Sequence, residues 1–153
     1  MILLDTDHVT VLRMPPTERR TRLLARLSLA VGEQVAIPVV AVEETMRGWL
    51  ASIAKERQAR RQVGPYRELA RLFHFFAEFE IAPFDDRAAD LFDQFGRIKI
   101  STSDRKIAAI AIVNNALLLT ANRRDYEQVP GLRFVNWMDE PPGPPLPPPA
   151  QPS

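Results

Sequence analysis

MILLDTDHV, residues 1–9, sets three apolar side chains in succession directly before two acids. Ile2–Leu4 shows no polar alternation, so it reads as a short strand buried on both faces, the kind found in parallel sheets. Asp5 falls where such a strand gives way to loop, and Asp7 reads as the cap of a helix starting at His8. The same grammar recurs downstream. Val35–Ile37 precedes Pro38, Leu117–Leu119 precedes Thr120, and Phe134–Val135 forms a last short run. Between these runs, Thr17–Leu29, Val40–Ile53, Tyr66–Phe79, Arg87–Phe95 and Asp104–Val113 carry helical spacing. In the last of them, Ile107, Ala108, Ala111 and Ile112 make one apolar stripe. Short buried strands alternating with helices imply an α/β, three-layer fold: a central parallel sheet of about four to five strands wrapped by helices.

Composition narrows the chemistry. The chain has 153 residues, 46% of them hydrophobic, which suits one domain with a core of its own. Having no cysteine, it excludes a disulfide scaffold, a thiolate zinc site and a cysteine nucleophile together. His8 and His74 alone leave little for an imidazole-based metal site. Twenty Lys+Arg against 19 Asp+Glu give no global signal for polyanion binding, so any such surface must be local. An acid at position 5 interrupts any signal-peptide core, and no run of about 18 apolar residues occurs. The expectation is a soluble, cytoplasmic protein with no membrane span. Eight of the 14 prolines fall between Pro141 and Pro152. We therefore expect a globular domain over residues 1–138 and a proline-rich tail over 139–153, disordered or in a polyproline-II conformation.

In an open parallel sheet, sites form outside the carboxyl ends of the strands. Asp5, Thr6 and Asp7 follow the first strand. Glu43 and Glu44 lie early in the helix after the second. Asp104 opens its helix, and Thr120, Asn122 and Asp125 follow the strand Leu117–Leu119. Each acid taken singly has a plainer role as a cap, a dipole partner or a solvated loop residue. Several at one sheet edge are another matter, because two carboxylates about 4 Å apart repel by about 4 kcal/mol at an effective dielectric of 20. A cation relieves that repulsion. All-oxygen ligation selects a hard divalent ion such as Mg²⁺ or Mn²⁺, which can activate water against a phosphodiester.

At this point the chain resembles the PIN-domain family, and within it the VapC-type ribonuclease toxins of toxin–antitoxin pairs. MILLDTDHV resembles the family's opening strand and first acid; IPVVAVEETMRG resembles its second strand and the acid four residues before a glycine. STSDRKIAAIAIVNNALLLTANRRDY resembles the third acid, alanine-rich helix, strand and Thr-x-Asn turn, and VPGLRFVNW the closing strand. The resemblance implies a Mg²⁺- or Mn²⁺-dependent endoribonuclease, normally a homodimer, that cuts RNA and is held inactive by a small DNA-binding antitoxin. It implies catalytic and metal-holding roles for Asp5, Glu44, Asp104 and Asp125, supported by Thr6, Asp7, Thr120 and Asn122. Relatives carry the fourth acid at the position of either Asn122 or Asp125, so both stay candidates here. Glu44 is preferred to Glu43 because it alone stands four residues before Gly48, on the same helical face, while neighbours differ by about 100°.

Three groups of cations could meet a polyanion. Lys55, Arg57, Arg60, Arg61, Arg67 and Arg71 face only Glu56 and Glu68; Arg13, Arg19, Arg20, Arg22 and Arg26 form a second group; Arg105, Lys106, Arg123 and Arg124 adjoin the acids and are the preferred RNA contacts. Phe73, Phe75, Phe76 and Phe79 read as helix packing or a dimer face. Two other functions compete. One is a noncatalytic PIN-like module that binds RNA or protein. The other is a haloacid-dehalogenase-like phosphatase, whose opening Asp-x-Asp fits Asp5 and Asp7. That second family needs its acid pair after a Ser/Thr and a Lys, whereas Asp85-Asp86 precede Thr120 and no lysine follows it.

Overall fold

A computed structural model describes residues 1–139. In chain order its elements are β1 (Ile2–Leu4), α1 (Thr6–Arg13), α2 (Glu18–Leu29), β2 (Val35–Pro38), α3 (Val39–Lys55) and α4 (Ala59–Phe76). β3 (Glu80–Ala82), α5 (Asp86–Gln94), α6 (Thr102–Val113), β4 (Leu117–Leu119), α7 (Arg123–Tyr126) and β5 (Arg133–Val135) follow. The strands form one parallel sheet in the order β3-β2-β1-β4-β5. Successive strand residues point to opposite faces, yet Ile2, Leu3 and Leu4 are all buried, as are Leu118 and Leu119. Both faces of the sheet are therefore covered, and the helices supply the cover. On α6 the buried residues are Ile107 to Ala111, three of them alanines, so a helix with short side chains lies close against the core.

The strand order fixes where a site can form. From β1 the chain moves to β2 and β3 on one side, then returns to β4 and β5 on the other. At such a reversal the loops at the carboxyl ends of the two central strands diverge and leave a crevice. Asp5 and Thr120 stand there. The ladder runs on into them, with Asp5 N–H donating to Leu119 O at 3.0 Å and Thr120 N–H to Val135 O at 3.0 Å.

Several boundaries differ from the sequence reading. α4 starts at Ala59 rather than Tyr66 and runs through Gly64 and Pro65. Pro65 has no N–H, so one bond, to the Arg61 carbonyl, is missing inside an otherwise continuous helix. The same helix stops at Phe76, and three residues of turn lead into β3, an edge strand that the sequence reading did not resolve. The helix after β1 begins at Thr6, with Asp5 as its cap, and not at His8 with Asp7 capping. The proline-rich tail lies outside the described residues, except for Asp139, which pairs with Arg19. Among the described residues no helix is long and apolar enough to cross a membrane.

Candidate active site

Asp5 is buried, and both of its oxygens are occupied by neutral donors. Oδ1 accepts the Thr6 N–H at 2.8 Å, the cap of α1, and Oδ2 accepts the Thr120 hydroxyl at 2.7 Å. The Thr120 oxygen in turn accepts the Asn122 N–H at 3.0 Å. Asp7, freed from capping, reaches across to the loop after β4 and accepts the Ala121 N–H at 2.8 Å. Its other oxygen meets Nδ1 of the fully buried His8 at 2.6 Å, while His8 Nε2 accepts the Trp137 N–H at 3.4 Å. With Nε2 accepting, Nδ1 carries the proton and donates it to Asp7.

Two more elements bring acids to the same edge. On α3, Glu44 points inward and accepts the Thr6 hydroxyl at 2.9 Å, whereas Glu43 points out and pairs with Arg47 at 2.6 Å. Gly48, one turn beyond Glu44, is exposed, and a Cβ there would meet nothing within 4 Å. On α6 the cap is Ser101, whose Oγ accepts the Asp104 N–H at 3.1 Å. The Asp104 carboxylate is thus not consumed as a cap. Oδ1 accepts the Tyr126 hydroxyl at 3.2 Å and Oδ2 the Asn122 amide at 3.3 Å. The same Asn122 nitrogen donates to Asp125 Oδ2 at 3.1 Å. Asp125 therefore joins Asp104 through Asn122, not directly.

The electrostatics follow from this crowding. Burial first, and then the charge of Asp7, push the Asp5 carboxyl up to about 7, against the pull of its hydrogen bonds to Thr120 and Thr6. Burial also raises Glu44 and Asp104; the charge of Asp104 adds to the first, and those of Asp125 and Asp7 to the second. Tyr126, fully buried beside them, is raised by burial and by the charges of Asp5 and Asp104. Its hydroxyl accordingly stays protonated and serves Asp104 as a donor. Among the described residues no three His, Cys, Asp or Glu side chains stand close enough to form a ready-made coordination set. Thr6 joins Glu44 to the cap of Asp5, Thr120 joins Asp5 to Asp7, and Asn122 joins Asp104 to Asp125. The carboxylates offer oxygen donors and their charge is offset only in part, by Arg47 at Glu44, which suits a hard divalent cation.

The adjoining cations are less available than their positions suggest. Arg105 lies over the Phe92 ring at 4.9 Å and donates to Gly96 O at 3.2 Å, and Lys106 lies over Phe84 at 5.7 Å. Arg123 pairs with Glu127 at 2.7 Å, and Arg124 is exposed. A pocket of about 310 Å³ adjoins the site through Thr120, lined also by Arg123, Phe134 and Asn136 but by none of Asp5, Glu44, Asp104 and Asp125. Tyr126 and His8 escaped the sequence reading. Tyr126 is adjacent to Asp125 in a single helical turn too short to show periodicity, and His8 finds its partners only through the folded chain.

The model of the PIN domain family matches residues 2–132. No curated protein matches the chain in sequence. Among solved structures, DNA-bound VapBC from Salmonella typhimurium superposes with a TM-score of 0.67 at 23% identity, covering 89% of this chain and 97% of that one. VapBC2 from Rickettsia felis, bound to a DNA fragment from its promoter, gives 0.65 at 25% identity, over 90% and 99%. A toxin–antitoxin complex from Klebsiella pneumoniae gives 0.58 at 21% identity, over 89% and 97%.

Proposed function

The chain belongs to the PIN-domain family, and from that membership we propose that it is a Mg²⁺- or Mn²⁺-dependent endoribonuclease, the toxin of a toxin–antitoxin pair. The observation that carries this reading is Asp5. It is a buried carboxylate at the reversal point of the sheet, its oxygens fixed by Thr6 and Thr120, its charge opposed by Asp7 and Asp104. An acid raised to about 7 is a cost to the fold unless a cation uses it. Asp5, Glu44 and Asp104 would hold the ion, with Asp125 or Asn122 completing the set. A divalent ion bound there supplies an activated water and neutralises charge developing on a phosphate. The chain's own residues position that chemistry: Thr120 and Thr6 fix the orientation of Asp5, and Tyr126 and Asn122 hold the two Asp104 oxygens. Arg124 and the rim of the adjoining pocket are where an RNA backbone would meet positive charge. The likeness to a toxin–antitoxin complex from Klebsiella pneumoniae and to promoter-bound VapBC2 of Rickettsia felis supports a small DNA-binding antitoxin as partner; the homodimer is an expectation from family resemblance alone.

The test uses purified protein, a structured RNA and Mn²⁺. Cleavage is expected, abolished by chelation and by Asp5→Asn or Asp104→Asn, with circular dichroism unchanged. Cutting that survives both substitutions overturns the site. RNA binding without any cutting by the wild-type chain selects the noncatalytic module instead.

A further inference from the structure

Helix α4 carries two apolar faces, and only one of them meets the core. Leu69, Leu72 and Phe76 pack inward. On another side, Val63, Tyr66, Ala70 and Phe73 recur at spacings of three, four and three, and all four are exposed, Val63 at 47%, Tyr66 at 54% and Phe73 at 63%. That spacing keeps the row within about 80° of the helix circumference and extends it over about 15 Å. It is the seam of a heptad pattern, in which the next position along holds the charges that select a partner. Here that position is Arg60, Arg67 and His74, all exposed, and among the described residues neither arginine forms an ion pair. The opposite edge holds Gln62, committed to the Ile53 and Glu56 carbonyls, and the half-buried Leu69.

We propose that this face of α4 docks an amphipathic helix of another protein, apolar along its centre and acidic along the edge that meets Arg60 and Arg67. The inference goes beyond the nuclease reading and does not depend on it. Charge decides the occupant. Two copies of this seam paired antiparallel would set arginine against arginine; paired parallel, they would set arginine against Gln62 and Leu69, which offer no counter-charge. An RNA backbone would engage the arginines but leave Val63, Ala70 and Phe73 facing water. An acidic amphipathic helix covers the row and neutralises its edge at once.

The probe is a fluorescent synthetic peptide of about three heptads with Leu at the seam positions and Glu at both edges, compared with one carrying Lys at the edges. The acidic peptide cannot pair well with itself, so binding reports on the protein. Anisotropy with the full chain is expected to show the Glu peptide binding at least about tenfold tighter than the Lys peptide. Arg60→Glu with Arg67→Glu should reverse that preference. Tyr66→Ser with Phe73→Ser should abolish binding, with melting temperature and circular dichroism unchanged because these side chains are exposed. Equal binding of the two peptides, or binding that survives Tyr66→Ser with Phe73→Ser, overturns the proposal. So does a dimer in light scattering that this seam variant dissociates, which would assign the face to a second copy. Polyuridylate binding sensitive to the arginine changes alone, without peptide binding, assigns it to RNA and overturns it equally.

Discussion

At the carboxyl edge of the sheet and at the clasp between α2 and residues 136–139, the same type of side chain is treated in opposite ways. Asp139 receives Arg19 at 2.6 and 2.8 Å and the Asn136 amide at 2.9 Å, and those hydrogen bonds hold it down at about 2. Two more arginines of α2 join the clasp, Arg22 on the Met138 carbonyl and Arg26 on that of Asn136 at 3.4 Å. Asp5 meets only uncharged donors and the charges of other acids, and it rises to about 7. The chain can place a guanidinium on a carboxylate where the fold requires one. At the sheet edge it places hydroxyls and an amide instead, and nearby Arg47 and Arg123 pair with Glu43 and Glu127. Positive charge at that mouth is left for something other than the chain to bring.

Three measurements press on this contrast. The largest effect belongs to the clasp: Met138 is fully buried, and Met138→Ala should destabilise the chain by about 2–5 kcal/mol in urea unfolding. A loss under about 1 kcal/mol would mean that the clasp is not part of the cooperative core. Next is Asp5→Asn, which should stabilise the metal-free protein by about 2–4 kcal/mol at neutral pH. The sign follows from the direction of the shift. The folded chain holds this proton more tightly than an ordinary aspartate, at 3.8, does, so the group favours folding most below that value and loses its contribution as pH rises through about 7. Melts in chelator should therefore show wild-type stability falling from about pH 4 to about pH 7 relative to Asp5→Asn and levelling off above that, and Mn²⁺ should raise the melting temperature of wild type more than that of the variant. Identical metal responses would remove Asp5 from the binding set. The smallest effect is Asp139→Asn, worth at most about 1 kcal/mol because both partners are well exposed. Its pH dependence has the opposite sign, present above about 3.8 and lost as pH falls through about 2.

How far the sequence reached depended on whether a signal was local. β1 and β4 were legible to the residue because three consecutive apolar side chains in a mostly helical chain leave little choice. β3 was not, since Glu80-Ile81-Ala82 is an edge strand with an exposed acid and too few residues for a pattern. Gly64-Pro65 reads as a break, yet the flanking turns of α4 outweigh one lost hydrogen bond. The acids could be placed at the sheet edge because topology alone puts strand ends together. What binds them to one another could not: the Thr120 hydroxyl reaches Asp5 across 115 residues, and Arg22 reaches the Met138 carbonyl across 116. The arginines of α2 and α4 look alike as sequence. Only the folded chain shows that the first set is largely engaged with backbone carbonyls and acids, while Arg60 and Arg67 are not.

The strand order has a consequence for synthesis. β1 leaves the ribosome before the other four strands, yet it lies in the middle of the sheet, flanked on one side by β4, whose residues pair Ile2 with Leu117 and Leu4 with Leu119. A nascent chain can pair β1 with β2 early, but the other edge of β1 stays open until β4 has emerged, and closing so distant a contact is slow. Asp5 lacks Thr120, and Asp104 lacks Tyr126, in every shorter product. Premature termination upstream of β4 yields fragments without the assembled acidic mouth.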